Sequence, residues 1–355
     1  MSDRPSVWVS RPTFDDVIAR LAPHFDVVVE PEERKLAPAE LAAKLAACDA
    51  AIVGLKEHIG ATELAGAKHL RIVANLAVGY DNLDLAALSA AGVAASNTAD
   101  VLNESVADYA WALLLGAARH MGAAERWLRA GHWHATEFKG WLGTDVRGRT
   151  LGILGMGRIG QAIARRAQGF GMPVLYHNRS RLPEATEREC RARHVDKATL
   201  LRESDCLVLV LPLTPETRHA IGTAELAQMK PTAVLVNVAR GGIVDDAALA
   251  AALREGRLAA AGLDVFEGEP RVHPDLLALD NVLLSPHIAS ATTDTRRAMT
   301  AVAVDNVLAY FGHGPHAGHP PNLLNAEALA AAGVTFPPPS HFPTPHLPTH
   351  QEPTR

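Results

Sequence analysis

The 355-residue sequence predicts an α/β protein of two domains, each a doubly wound parallel sheet, with a cleft between them. Three observations carry that expectation. The chain is too long for one ordinary core and suits two, on the rough prior of 100–200 residues per domain. Short β-branched runs alternate with Ala/Leu/Glu-rich stretches of helical period, the pattern of strands joined by crossover helices. Two such series occur, separated by a long Ala/Leu-rich segment.

The first series contains Val7-Trp8-Val9, Val27-Val28-Val29, Ala51-Ile52-Val53 and Ile72-Val73-Ala74, and runs to about Ser96. Glu104 to about Ala130 then reads as one long linking helix. The second series contains Thr150-Leu151-Gly152-Ile153-Leu154, Pro173-Val174-Leu175-Tyr176, Cys206-Leu207-Val208-Leu209-Val210, Ala233-Val234-Leu235-Val236, Ala261-Gly262-Leu263 and Val282-Leu283-Leu284. These nearly all-apolar runs suit a sheet covered by helices on both faces. A second linking helix is expected near Thr292 to Tyr310, and Pro320-Pro321-Asn322 closes the folded part. From about residue 331 the chain turns Pro- and His-rich, so residues 331–355 are expected to be disordered.

With 48% hydrophobic and 21% charged residues, the chain has the composition of a globular protein rather than a disordered one. A formal charge of −5 gives no electrostatic footprint for a polyanion, so no nucleic-acid partner is expected. Cys48, Cys190 and Cys206 form neither a CxxC pair nor a disulfide framework, which fits a reducing compartment. The N-terminus lacks the basic start and apolar stretch of a signal peptide, and no run of about 18 apolar residues exists. A cytoplasmic protein without a membrane partner is expected. His341, His346 and His350 lie in a Pro-rich tail of a kind that rarely binds a metal specifically, His313, His316 and His319 have no thiolate or carboxylate beside them, and no metal site is assigned.

Gly155-Met156-Gly157-Arg158-Ile159-Gly160 follows an apolar strand and opens a helix, the context that makes a GxGxxG pattern a dinucleotide fingerprint. Gly155 allows the tight turn, Gly157 lets the backbone approach the pyrophosphate, and Gly160 lets helix and strand pack closely. The two sheets are therefore expected to be Rossmann-like. An NAD-selective site carries an acidic residue roughly 20 positions beyond the fingerprint. Here the next strand ends in Tyr176-His177-Asn178-Arg179-Ser180-Arg181, two guanidinium groups and a hydroxyl suited to a 2′-phosphate. NADP(H) is the preferred cofactor, with NAD(H) also admitted.

Three later stretches each follow or end an apolar strand: Val236-Asn237-Val238-Ala239-Arg240-Gly241-Gly242, Gly262-Leu263-Asp264-Val265-Phe266-Glu267-Gly268-Glu269-Pro270 and Ser285-Pro286-His287-Ile288-Ala289-Ser290. Carboxyl ends of strands line the ligand crevice of a doubly wound sheet, so Arg240, Glu269 and His287 are expected to converge there. Such a set suits reduction of a 2-oxo acid. Arginine grips the carboxylate and polarises the C2 carbonyl, histidine donates a proton, and a carboxylate orients the histidine. Taken singly, Arg240 also fits a sheet-end ion pair, Glu269 a loop charge and His287 a core histidine.

From about Pro5 to Asn325 the chain resembles the D-isomer-specific 2-hydroxyacid dehydrogenase family. The fingerprint, the arginine of "VNxxRG", the glutamate of "DVFxxEP" and the histidine of "PHI" stand in the family's order at Gly155, Arg240, Glu269 and His287. The resemblance implies that Arg240 binds substrate, His287 is the general acid/base, Glu269 pairs with it, and Asp264 contacts the nicotinamide carboxamide. It further implies cofactor contacts at Arg158, Ile159, Pro212, Thr217 and Ala239, and substrate contacts at Ser290 and at the backbone N–H groups of Val78 and Gly79. On this basis residues 1–103, completed by 299–328, form the substrate-binding domain, and residues 104–298 the NAD(P)-binding domain. A homodimer is implied, with Trp141 placed near the neighbouring active site or serving as an interface anchor. One departure is Asp108 in place of the family's glutamate in Ser105-Val106-Ala107-Asp108.

Within the family, Trp141-Leu142-Gly143-Thr144-Asp145-Val146 and Asn178-Arg179-Ser180-Arg181 look most like glyoxylate/hydroxypyruvate reductases, including those acting on 2-ketogluconate. The alternatives are a phosphoglycerate, D-lactate or phosphite dehydrogenase, for which Lys56 is a candidate contact to an acidic substrate tail. A formate dehydrogenase resembles this chain less, because that branch pairs glutamine with histidine. A different class, a corepressor-like protein that senses NAD(H) without turnover, is disfavoured by the complete Arg240, Glu269 and His287 set.

Overall fold

In the computed structural model, which describes residues 4–336, the apolar runs form two separate parallel sheets. The first lies in a unit of residues 4–99 and 297–336. Its strands are β1 (Ser6–Val9), β2 (Asp26–Val29), β3 (Ala50–Val53), β4 (Ile72–Asn75) and β5 (Ala94–Ser96), in the order β2-β1-β3-β4-β5. Every pairing is parallel.

Strand periodicity sorts the side chains of this sheet onto two covered faces. Val7, Val9, Ile52, Ile72 and Ala74 pack on one side with Val304 and Val307 of the helix Thr293–Tyr310. Trp8, Ala51, Val53 and Val73 face the other side, against Leu41 and Leu45 of the helix Pro38–Ala46 and Leu88 of the helix Leu85–Ala90. Burial on both faces is why the inner strands β1, β3 and β4 read as continuous apolar runs, whereas Val28 and Val29 of the edge strand β2 are exposed.

The second unit comprises residues 100–296. Its strands are β6 (Leu151–Leu154), β7 (Val174–His177), β8 (Ala192–His194), β9 (Cys206–Leu209), β10 (Val234–Asn237), β11 (Ala260–Leu263) and β12 (Val282–Leu284), in the order β12-β11-β10-β9-β6-β7-β8. All are parallel. The order reverses between β6 and β9, so the loops after those strands diverge and open a crevice at the carboxyl edge.

The expected α/β class with two doubly wound parallel sheets is thus observed, with three corrections of detail. The linking helix is two helices, Asn103–Ala118 and Met121–Arg129. His120 between them has φ +53, which ends the first hydrogen-bond ladder, and Leu283 of β12 packs where side chains at Gly116 and Gly122 would stand. The short strands β5 (Ala-Ala-Ser) and β8 (Ala-Arg-His) lack the longer apolar runs that marked the others. Residues 331–336 belong to the packed part: the helix Ala326–Ala331 ends there, Val334 and Phe336 lie against the first core, and Phe336 meets Tyr310 edge-on with ring centroids 5.4 Å apart. The rest of the Pro/His-rich tail lies outside the described residues.

Gly262 in β11 lets the helix Asn103–Ala118 approach the sheet. A Cβ on it would stand 3.0 Å from both Cβ and the carbonyl oxygen of Leu113. Gly262→Ala is expected to lower stability by about 1–3 kcal/mol through overpacking, read as a reduced urea midpoint with an unchanged slope.

Candidate active site

The three glycines of the fingerprint have different physical reasons. Gly155, which follows β6, has φ +98, and a Cβ there would stand 2.6 Å from the Val210 carbonyl oxygen after β9. A Cβ on Gly160 would stand 2.6 Å from the Gly155 carbonyl oxygen, so Gly160 seats the helix Arg158–Ala167 against the loop. Gly157 has an ordinary φ of −76, and its Cβ would meet nothing within 4 Å. Neither the fold nor the backbone requires glycine there. The open space there leaves room for a bound group to approach first-turn N–H groups that have no intrahelical acceptor. The residues present therefore fit a dinucleotide pyrophosphate.

The loop after β7 is organised partly by its own contacts. The Asn178 side-chain oxygen accepts from the Met156 N–H at 2.6 Å and so fixes the fingerprint loop. Arg179 and Ser180 are exposed, and Arg179 forms no ion pair among the described residues. Arg181 is committed elsewhere: its Nε and Nη2 donate to the two carboxylate oxygens of Glu187 at 2.9 and 2.7 Å. The Glu187 side chain is only 8% exposed and also accepts from the Tyr176 hydroxyl at 2.7 Å. The Arg181 bonds, followed by that of Tyr176, hold the Glu187 carboxyl at about 2. Burial, and then the Glu187 partner, push the Tyr176 phenol to about 12. The expectation of two guanidinium groups standing ready for a phosphate is narrowed to Arg179.

The other positions implied as cofactor contacts are also placed in this unit. The Thr217 hydroxyl donates to the Pro212 carbonyl at 2.7 Å and accepts from the Thr214 N–H, which closes the turn after β9. Arg158 pairs with Asp100 at 2.9 Å, and Ile159 is half-buried in the same helix turn. Ala239 is buried after β10, where its N–H donates to Asn237 Oδ1 at 3.0 Å. Asn237 Nδ2 in turn donates to the Arg240 carbonyl, so this side chain folds the loop that carries Arg240.

His287 and Glu269 come together as expected, with His287 Nδ1 2.8 Å from Glu269 Oε2. The second carboxylate oxygen accepts from the Phe266 N–H at 2.9 Å. Burial opposes ionisation of Glu269, but the His287 bond and charge, the Phe266 N–H and the Arg240 guanidinium outweigh it and hold the carboxyl below its ordinary range. Arg240 is near enough to act on Glu269 electrostatically, and its Nη1 donates to the Ala239 carbonyl at 2.9 Å. A Cβ on Gly241 would stand 1.8 Å from the Phe266 carbonyl oxygen, so glycine is what allows the Arg240 and Glu269 loops to touch.

Asp264 is 1% exposed at the end of β11, and its carboxylate accepts from the Ser285 hydroxyl at 2.7 Å and from the Ile288 and Ala289 N–H groups at 2.8 Å. Its carbonyl accepts the His287 N–H at 2.8 Å. His287 sits at φ +55, a conformation that side chains rarely adopt and that these four bonds maintain. Sequence reasoning had not assigned this positioning role, nor the roles of Ser285, Asn237 and Glu187. The Asn237 turn was findable, because asparagine commonly bonds its own backbone two residues on.

Ser290 lies in the turn after His287, where its carbonyl accepts the Thr292 N–H. Trp141, at φ +54 and 42% exposed, meets Trp127 edge-on at 5.7 Å. Val78 and Gly79 lie in the first unit, in the turn after β4. Among the described residues, no group of three or more His, Cys, Asp or Glu side chains is placed to hold a metal, and no helix is long and apolar enough to cross a membrane.

Residues 111–289 match the family described as D-isomer specific 2-hydroxyacid dehydrogenase, NAD binding domain. Over 333 residues the chain is 47% identical to a glyoxylate reductase of Thermococcus gammatolerans, covering 92% of this chain and 97% of that protein. The chain belongs to the D-isomer specific 2-hydroxyacid dehydrogenase family. Among solved structures, it is similar to a D-isomer specific 2-hydroxyacid dehydrogenase from a Polaromonas species (TM-score 0.83, 36% identity, 90% of this chain and 99% of that one). It is also similar to an NADPH-dependent glyoxylate/hydroxypyruvate reductase from Sinorhizobium meliloti in complex with NADP and malonate (TM-score 0.79, 36% identity, 91% and 97%). As a member of this family, the chain is an NAD(P)-dependent oxidoreductase that reduces small 2-oxo acids with a nicotinamide cofactor.

The Arg181–Glu187 pair gives a pH-dependent prediction. The folded-state value of Glu187, about 2, lies below the ordinary 4.5, so its stabilisation is full above pH 4.5 and is lost as pH falls toward 2. The gap in urea midpoint between the native chain and Glu187→Gln should be wide at pH 7 and close progressively below pH 4.5. A gap that stays constant down to pH 3 would contradict the assignment.

Proposed function

We propose that this dehydrogenase reduces glyoxylate and hydroxypyruvate, and also 2-ketogluconate, to the 2-hydroxy acid, of D configuration where the product is chiral, with NADPH preferred over NADH. The observation that carries this reading is the His287–Glu269 pair at 2.8 Å with Arg240 acting on the same carboxylate. The choice of substrate is supported by the relatives named glyoxylate reductase, and the choice of cofactor by exposed Arg179 with no acidic residue between His177 and Arg181.

NADPH, when bound, would supply a hydride to C2 of the substrate. The N–H groups of Val78 and Gly79 are assigned to binding the substrate carboxylate, and Arg240 to binding substrate and polarising the C2 carbonyl. As the carbonyl oxygen gains negative charge, His287 Nε2 gives it a proton, while Nδ1–H donates to Glu269 Oε2. With that proton, and the hydride the cofactor would supply, the oxo acid would become the hydroxy acid. Glu269 is held ionised through the neutral range, so it remains an acceptor for Nδ1–H and keeps the imidazole oriented. Asp264 maintains the turn that presents His287, with the nicotinamide carboxamide as a further partner.

Residues 1–103 with 299–328 are assigned to substrate binding and 104–298 to the nucleotide. Phe138 (96% exposed), Leu142, Trp133 and Trp141 follow the helix Met121–Arg129, and so much apolar surface on one segment supports burial in a homodimer. Three buried free thiols support a cytoplasmic location.

The direct test is oxidation of NADPH and NADH with glyoxylate, hydroxypyruvate, 2-ketogluconate and pyruvate supplied separately. Rapid NADPH-linked turnover of the first two is expected, and turnover restricted to pyruvate would replace the substrate assignment. His287→Ala should lower kcat by about 10²–10⁴-fold with NADPH binding intact. Arg179→Ala should raise KM for NADPH by about tenfold or more through loss of a charge-assisted bond while leaving that for NADH unchanged. Equal changes for both cofactors would return Arg179 to an ordinary surface charge.

A further inference from the structure

Three buried asparagines stand at the carboxyl edge of the first sheet, where apolar side chains would pack at lower cost. Asn75 ends β4 and is 0% exposed, Asn97 follows β5 at 7%, and Asn82 lies between them in sequence at 3%. A buried amide left without partners costs roughly 1–3 kcal/mol, so their bonds account for their presence.

Those bonds converge on one turn. The Ala77 carbonyl accepts the Thr98 N–H at 3.0 Å, the Val78 carbonyl accepts Asn97 Nδ2 at 2.8 Å, and the Gly79 carbonyl accepts Asn75 Nδ2 at 2.9 Å. The orientation of each amide is fixed by its other bonds. Asn97 Oδ1 accepts the Ala99 N–H at 3.3 Å, and Asn75 Nδ2 also donates to Asn82 Oδ1 at 3.2 Å. Asn82 is itself anchored by donating to the Gly54 and Glu57 carbonyls, both at 3.0 Å.

In a trans peptide the C=O and the following N–H point in opposite directions across one plane. Holding the carbonyls of Ala77, Val78 and Gly79 therefore aims the N–H groups of Val78, Gly79 and Tyr80 away from the protein groups that hold them. None of these three N–H groups donates to an atom of the described residues. Three consecutive amide donors without a protein acceptor are therefore available to an anion.

We propose that Asn97 and Asn75 are positioning residues that aim the Gly79 and Tyr80 N–H groups at the substrate carboxylate, and so set affinity for 2-oxo acids without touching them. The inference rests on the reading above that this turn takes the carboxylate. It adds Tyr80 N–H as a third donor, and it assigns the direction of the cradle to two side chains that are not expected to contact substrate.

The test combines steady-state kinetics with hydrogen exchange of the segment 76–81 in NADPH-saturated enzyme, with and without oxamate as the carboxylate probe. Asn97→Asp keeps the acceptor for Ala99 and removes the donor to Val78. It should raise KM for glyoxylate by about tenfold to a hundredfold, as loss of a bond to a charged group does. The variant should also leave KM for NADPH unchanged, lower kcat less than it raises KM, and lose the oxamate protection seen in the native enzyme. Asn97→Ala, which removes the donor without adding charge, should shift KM in the same direction by a smaller factor. If the native segment is protected while both variants keep native KM and protection, the positioning role is overturned and the cradle survives. A native segment that oxamate does not protect would overturn the cradle, and the inference with it.

Discussion

The buried carboxylate of Asp264 is the constraint on which the geometry of the second unit's site depends. A single side chain at the end of β11 accepts from Ser285, Ile288 and Ala289, and its backbone carbonyl accepts from His287. Without those bonds a residue at φ +55 would relax, and His287 Nδ1 would leave Glu269. Each N–H or O–H left unpaired in so buried a place costs roughly 1–3 kcal/mol, so the turn has one favourable arrangement rather than several. His287 is thus held in place by a side chain that does not touch its imidazole.

The same device recurs within each unit with different side chains. Asn237 bonds both the Ala239 N–H and the Arg240 carbonyl, Asn178 holds the Met156 N–H, and Asn75 and Asn97 hold successive carbonyls of the turn after β4. In each case a polar side chain at or just past a strand's end converts a loop into a rigid element. Glycine does the complementary work where backbones must touch, as Gly241 does against Phe266 and Gly155 against Val210. Catalytic groups on loops gain the precision of the sheet, which is the condition for orienting a reacting carbonyl within tenths of an ångström.

Much of the fold was legible because burial on both faces of a parallel sheet leaves a strong trace, a run such as Leu207-Val208-Leu209. β5 and β8 left no such trace: Ala-Ala-Ser and Ala-Arg-His owe their conformation to pairing with β4 and β7 rather than to their own preference. The break at His120 was equally silent, since both halves of the segment favour helix and the interruption answers to Leu283 on a distant strand. Phe336 was misread with the proline-rich tail because local composition carries no information about the Tyr310 ring it covers.

The sequence by itself determined the class, the family and the identity of the chemical groups. Spacing within a strand, a fingerprint or a loop is local, and those groups must be present in the chain to be used. Only the tertiary structure decided which of them are available. It paired His287 with Glu269 and buried Asp264 under the His287 turn. It also removed Arg181 from the exposed cations by placing Glu187 beneath it, and left Arg179 outside. Whether a charged side chain is free or paired depends on the neighbours that folding brings within about 3 Å, and that distance is not a property of the sequence position.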